Sequence, residues 1–175
     1  MLHATIFTRF EGVHKDCVMD MVSMPDYKYI VTASMDQKDN LCVWDTVSGK
    51  PKFLLEDGHT RGCKQLAWAS DQSLLLSVGF EYEAYAWDVK TSRRPVMRMV
   101  GHRAPLMGIV AVKFNPVMRA VTADIKGNFK MWSIQRSTHS TAMVLQTWEP
   151  HDEHFSPLFI AANAATREIV AGGYK

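Results

Sequence analysis

The sequence predicts an all-β fold built from a repeated unit, and three observations carry that prediction. His14, His59, His102 and His151 recur 45, 43 and 49 residues apart. Trp44, Trp87 and Trp132 recur 43 and 45 residues apart, each about 30 residues behind one of those histidines. Between them, short runs of β-branched, aromatic and aliphatic residues alternate with Pro, Asp and Gly turns, with no amphipathic helical period of useful length. An internal period of about 40 to 45 residues marks a stacked or radial array, in which each unit buries its apolar face on its neighbours.

The elements follow in order. Thr5-Ile6-Phe7 reads as a strand ahead of the first full unit. In unit one, Val18 to Val22 is a first strand, Pro25-Asp26 a turn, Tyr29 to Ala33 a second strand and Leu41 to Asp45 a third. In unit two, Cys63 to Trp68 is followed by a Ser70-Asp71-Gln72 turn. Leu74 to Val78 is apolar but for Ser77, and so reads as a strand buried on both faces. Phe80-Glu81-Tyr82 turns the chain into Ala84 to Trp87, and Arg94 to Val100 reads as a fourth strand. Unit three repeats the order with Leu106 to Phe114, an Asn115-Pro116 turn, Ala120 to Thr122 and Phe129 to Trp132. After His151, Leu158 to Ala161 and Ile169 to Ala171 supply two strands more.

Gly58-His59 with Trp87-Asp88, flanked by Trp44-Asp45 and by Gly101-His102 with Trp132-Ser133, resembles the WD40 repeat of β-propellers. Matched spacings support the resemblance: His14 to Thr32 and His59 to Ser77 are both 18 residues, and Ser77 to Trp87 and Thr122 to Trp132 are both 10. It covers essentially the whole chain. The fold it implies is a partial WD40 β-propeller of about three full four-stranded blades plus parts of two flanking blades. The expected divisions are 1–13 as the outer strand of a preceding blade, 14–57, 58–100 and 101–149 as blades one to three, and 150–175 as half of a further blade. Propellers close with about four to eight blades, and closure hides strand edges. The expectation is therefore a piece of a longer propeller, completed by the same chain or by a partner chain.

The resemblance also implies a buried polar network in each blade, running from a loop His through a strand Ser/Thr to the Trp, with an acid behind the His. Buried polar groups need such partners, because an unsatisfied one costs a few kcal/mol. Carried over residue by residue, the members are His14, Thr32, Asp36 and Trp44, then His59, Ser77, Glu81 and Trp87, then His102, Thr122, Asp124 and Trp132. Three departures stand out. Two extra residues follow Asp36, and Glu81 is a methylene longer than the aspartate it replaces, which predicts a poorer fit. In blade three Lys126 occupies the acid's position, so that network is expected to be incomplete unless Asp124, two residues earlier, substitutes.

Bulk properties narrow the functional classes. The 175 residues are 47% hydrophobic and 22% charged, enough for a packed core, with a formal net charge of only +2 and no block of five cations. Nucleic acid is not implied, since such binding rests on clustered cations. No window resembles a membrane span or a secretory signal. Cys17, Cys42 and Cys63 form no C-x-x-C pair and are expected as buried free thiols of a reducing, cytoplasmic compartment. Met19, Met21, Met97 and Met99 are expected as core filling. No nucleophile–base pair or Gly-rich phosphate loop is present, so no enzyme and no cofactor is predicted. His151-Asp152-Glu153-His154 has metal-binding residue types, but His151 already falls on the repeat phase, and no metal site is assigned.

The function expected is a non-catalytic scaffold for other proteins. The candidate contacts are positions the repeat does not need: Gln37, Lys38, Asp39 and Asn40, Arg61, Tyr82 and Glu83, Arg103 and Lys126. Ser77-Val78-Gly79-Phe80-Glu81 with Ala84-x-x-Trp87-Asp88, Leu106-x-Gly108, and Thr122-Ala123-Asp124-x-x-Gly127-x-Phe129-Lys130-x-Trp132 are similar to large WD-repeat proteins of motile cilia and flagella that often carry EF-hands. That implies a ciliary or cytoskeletal assembly. No EF-hand loop is present, so calcium binding does not transfer. The alternative is a scaffold subunit of an RNA–protein or chromatin complex.

Overall fold

A computed structural model of the chain describes residues 9–114, 116–135, 140–150, 155–163 and 168–174. These residues form three four-stranded antiparallel sheets and one two-stranded sheet, with no α-helix among them. The first sheet holds β1 (Val18–Met24), β2 (Tyr29–Ser34), β3 (Leu41–Asp45) and β4 (Pro51–Leu54). The second holds β5 (Cys63–Ala69), β6 (Leu74–Gly79), β7 (Glu83–Trp87) and β8 (Met97–Val100). The third holds β9 (Leu106–Phe114), β10 (Val117–Asp124), β11 (Phe129–Ser133) and β12 (Met143–Trp148). β13 (Ser156–Asn163) and β14 (Glu168–Tyr174) pair as a final hairpin. Each four-stranded sheet is a meander in chain order.

The strands form where local chemistry favours them. Pro25–Tyr27 and Ser70–Gln72 are single 3-10 turns, closed by Lys28 and Ser73 in the left-handed region at φ 56° and 53°. β6 is buried at all six positions, as a central strand packed on both faces must be. β8 begins later than the sequence suggests. Pro95 has no N–H to offer a ladder, and Ser92 turns the chain by bonding both the N–H and the C=O of Arg94, at 2.9 Å each.

Successive sheets pack face to face through three apolar layers. Val31, Val43, Leu66, Leu75 and Trp87 lie in the first layer. Leu76, Met97, Met99, Ile109 and Trp132 lie in the second, and Val110, Val121 and Ile160 in the third. The leading strands β1, β5, β9 and β13 pack against one another in sequence. Each has one register shift near its start, skipping Met19, Lys64, Met107 and Leu158 in turn. Such bulges re-aim the residue that follows.

That residue ties neighbouring sheets. The Asp20 carboxylate accepts from the Leu66 N–H at 2.8 Å, and the Gln65 carbonyl oxygen accepts from the Ile109 N–H at 3.0 Å. The third sheet has Gly108 at this place. Gln65 passes over it and donates Nε2–H to the Ile160 carbonyl at 3.3 Å. A Cβ on Gly108 would lie 2.8 Å from both Gln65 Oε1 and Ile160 Cγ1. Glycine is required there by close approach.

Two expectations fail. Met19 and Met21 are 42% and 60% exposed, because among the described residues the first sheet is packed on one face only, whereas Met97 and Met99 are buried in the layer between the second and third sheets. Cys17 is exposed, since it precedes β1 and packs in no layer; Cys42 and Cys63 are buried. Thr5-Ile6-Phe7, Asn115, and His151-Asp152-Glu153-His154 lie outside the described residues.

Candidate functional site: blade networks and the surface they carry

The middle sheet brings four predicted residues into one chain of bonds. Trp87 Nε1–H donates to Ser77 Oγ at 2.8 Å, and Ser77 Oγ meets His59 Nε2 at 2.8 Å. His59 Nδ1 lies 3.0 Å from Glu81 Oε2, while Glu81 Oε1 accepts the backbone N–H groups of Thr60 and Arg61 at 2.8 and 2.9 Å. Both ring nitrogens of His59 are thereby partnered, one by the serine hydroxyl and one by the carboxylate. Glu81 therefore reaches fully, contrary to the poorer fit expected of it. Its longer side chain spans the turn and caps two loop N–H groups as well as the imidazole. Burial alone would raise the Glu81 carboxyl, but the His59 bond and charge and the two backbone donors outweigh it and hold it at about 2.

The third sheet is also complete, which corrects the doubt raised by Lys126. His102 bridges Thr122 Oγ1 at 2.7 Å and Asp124 Oδ2 at 2.9 Å, and Trp132 Nε1–H donates to Thr122 at 2.8 Å. Asp124 works from the end of β10 itself. Its carboxylate also accepts from the Lys126 and Asn128 N–H groups and from the Asn128 amide. Burial opposes ionisation of Asp124, yet His102 and Asn128 hold its carboxyl below the usual range.

The first sheet carries the loosest version. Thr32 Oγ1 joins His14 Nε2 at 2.6 Å to Trp44 Nε1–H at 2.8 Å. Asp36 stands 3.4 Å from His14 Nδ1, which is left without a hydrogen bond. Asp36 instead takes the Ser34 hydroxyl at 2.8 Å and the Lys15 N–H at 3.1 Å. Burial acts to raise its carboxyl, and these donors lower it.

The loop candidates divide. Gln37, Lys38, Asp39, Arg61, Tyr82, Arg103 and Lys126 are exposed. Asn40 is buried and donates to the carbonyls of His59 at 2.8 Å and Asp36 at 3.2 Å, so it locks the long turn onto the next sheet. Glu83 begins β7 and is half-buried, where it accepts from Arg98 Nε at 2.9 Å. It is therefore a paired strand residue and not an open loop contact.

Two clefts open among these loops. One, of about 480 Å³, lies between the first two sheets, with Gln37 to Asn40 on one side and Glu56 to Thr60 on the other. The other, of about 470 Å³, belongs to the third sheet and is lined by Gly101, Arg103, Asp124, Lys126, Asn128, Lys130, Thr147 and Glu149. Sequence reasoning missed Lys130 as part of this cleft. It also missed the tie made by Asp20 and Gln65, although Asp20, Gln65 and Gly108 recur at 45 and 43 residues, the phase of the histidines. Among the described residues no helix is long and apolar enough to cross a membrane.

Four-stranded meanders arranged by their leading strands, each cross-braced by a His–Ser/Thr–Trp chain, are blades of a β-propeller. The WD domain, G-beta repeat model matches residues 6–45, and solved WD40 propellers share the fold. The WD40 β-propeller domain of Doa1 aligns with a TM-score of 0.70 at 17% identity, over 91% of this chain and 49% of that one. The RRP9 WD40 repeats align at 0.69 and 18%, over 86% and 43%. Among curated proteins, cilia- and flagella-associated protein 337 B of Tetrahymena thermophila is 28% identical over 137 residues, 78% of this chain. The human GATOR2 complex protein WDR59 is 25% identical over 138 residues, 73% of this chain. The chain spans only 10% and 14% of the lengths of these two relatives.

Proposed function

We propose that this chain is part of a non-catalytic protein–protein interaction scaffold. The observation that carries the reading is a division of labour among the polar residues. The polar residues that recur in phase are spent on bracing the blades, while charged side chains at positions outside the phase stand exposed on the connecting loops. A rigid frame with variable loops is suited to docking partners. The similarity to a cilia- and flagella-associated protein over most of the chain supports a ciliary or flagellar assembly. Further blades, from the same chain or from a partner, cover the apolar side chains left open on the leading edge and on the final hairpin. Met21, Phe159 and Val170 are each more than half exposed.

The test is to tag the full-length protein at its own locus in a ciliated cell and fractionate cilia from cell bodies. The expected result is enrichment in the axonemal fraction, with other proteins recovered in stoichiometric amounts. Recovery with RNA–protein particles or chromatin, and absence from cilia, would refute the ciliary assignment.

A further inference from the structure

The cleft of the third blade differs in charge from its counterpart in the second. Arg103, Lys126 and Lys130 all line it, and no carboxylate among the described residues forms an ion pair with any of them. Among the described residues Lys130 Nζ donates only to the Thr147 hydroxyl, at 3.1 Å. Asp124 offsets one of the three charges but pairs with none of them, because it is buried and its oxygens are taken by His102, Asn128 and the Lys126 N–H. Glu149 is the one other carboxylate in the lining, and it is exposed. In the second blade the residue after the histidine is Thr60, the residue two before the tryptophan is Tyr85, and Arg98 is already paired with Glu83. The positive excess is thus particular to one blade, and bracing of the blade does not account for it.

We propose that this cleft receives an acidic side chain of a partner protein, with Arg103, Lys126 and Lys130 as the anion-binding groups. The inference rests on the scaffold reading and names the chemistry of one partner contact. A planar guanidinium beside two ammonium groups suits a carboxylate or a phosphate equally, and charge-assisted bonds of this kind are about twice as strong as neutral ones. A nucleic acid is disfavoured because no aromatic side chain among the described residues lines the cleft to stack a base. The volume, about 470 Å³, holds one or two side chains and no extended strand of nucleotides.

The test is fluorescence anisotropy on the full-length protein with short labelled peptides that differ only at their centre: glutamates, phosphoserine or glutamines. A single-stranded RNA of uridines serves as the competing class. The glutamate or phosphoserine peptide is expected to bind at least roughly tenfold more tightly than the glutamine peptide, weakening as salt rises. Whichever of the two acidic peptides binds more tightly identifies the source of the anion. Arg103→Gln and Lys126→Gln should each weaken binding roughly three- to tenfold, with unchanged melting temperature. Lys113→Gln, at the other end of β9, should leave it unchanged. Glu149→Gln should tighten it, a gain that misfolding cannot produce. Equal binding of acidic and glutamine peptides, equal losses from Lys113→Gln and Lys126→Gln, or tighter binding of the RNA would each overturn the proposal. If acidic peptides fail while partner proteins still co-purify, the cleft assignment falls and the scaffold reading stands. If no protein co-purifies at all, the scaffold reading falls first.

Discussion

Gln65→Ala tests how the blades are tied together. The substitution removes two bonds at once: the acceptor for the Ile109 N–H at 3.0 Å and the donor to the Ile160 carbonyl at 3.3 Å. Ile109 is fully buried, so its N–H is left without water, at a cost of about 1–3 kcal/mol. The longer bond to Ile160 contributes about 0.5–1.5 kcal/mol. The expected loss is therefore about 2–4 kcal/mol, read as a lower urea midpoint by tryptophan fluorescence in the full-length protein. Gly108→Ala approaches the same contact from the other side. Its φ is not in the left-handed region, so the substitution tests space alone, and the new Cβ would stand 2.8 Å from Gln65 Oε1 and from Ile160 Cγ1. Alanine at Gly108 must displace Gln65 and forfeit the same bonds, so the two losses overlap. The double variant should fall short of the sum by about 1–2 kcal/mol, well beyond the scatter of independent sites. Additivity within about 0.5 kcal/mol would refute a shared tie.

Three further outcomes follow from the blade geometry. The Glu81 carboxyl titrates at about 2 in the folded protein, below its value in the unfolded chain. Its stabilisation is thus fully present above about pH 4.5 and lost as pH falls toward 2. The gap in melting temperature between the native protein and Glu81→Gln should accordingly be widest near neutrality and close in acid. Trp87→Ala should cost about 3–5 kcal/mol as a fully buried aromatic truncation that also removes the indole donor to Ser77 Oγ, measured by urea unfolding. An unchanged midpoint would mean that Trp87 braces nothing. In thiol labelling at neutral pH, Cys17 should react in the native protein, whereas Cys42, raised to about 12 by burial, and buried Cys63 should react only after denaturation.

The strands and the turns between them were legible because one period governed both. Hydrophobic runs marked β2, β3, β6 and β11 within a residue or two, and the histidine and tryptophan phases identified the members of each network. What the sequence concealed was reach. Whether glutamate at 81 could serve as well as aspartate depends on where the loop N–H groups of Thr60 and Arg61 point, and no spacing reports that. Exposure of Met19 and Met21 was equally hidden, since alternation along a strand does not say which face of the sheet a neighbouring sheet covers. Sequence alone does not place Lys130 at the cleft, because a lysine between Phe129 and Met131 reads as an ordinary strand position. Only the pairing with Thr147 across β11 and β12 brings it to the cleft.

The third blade shows how a repeat can free a position without losing its brace. In the first two blades the acid sits four residues after the strand Thr or Ser, at Asp36 and Glu81, inside the turn. In the third it sits two residues after Thr122, at the end of β10. From there Asp124 meets His102 at 2.9 Å, as close as Glu81 meets His59, and also holds the turn through Asn128. The turn position four residues after Thr122 is then unnecessary to the brace, and it carries Lys126. Restoring the common pattern with Lys126→Asp separates the two roles. The Lys126 side chain is exposed and takes no part in the His102–Asp124 bond, and its backbone N–H, which Asp124 accepts, is kept in the variant, so the melting temperature should change little. The cleft, however, would exchange one of its three cations for a carboxylate, and binding of an acidic peptide should weaken more than with Lys126→Gln. A large loss of stability with no effect on binding would reverse the assignment and make Lys126 part of the brace.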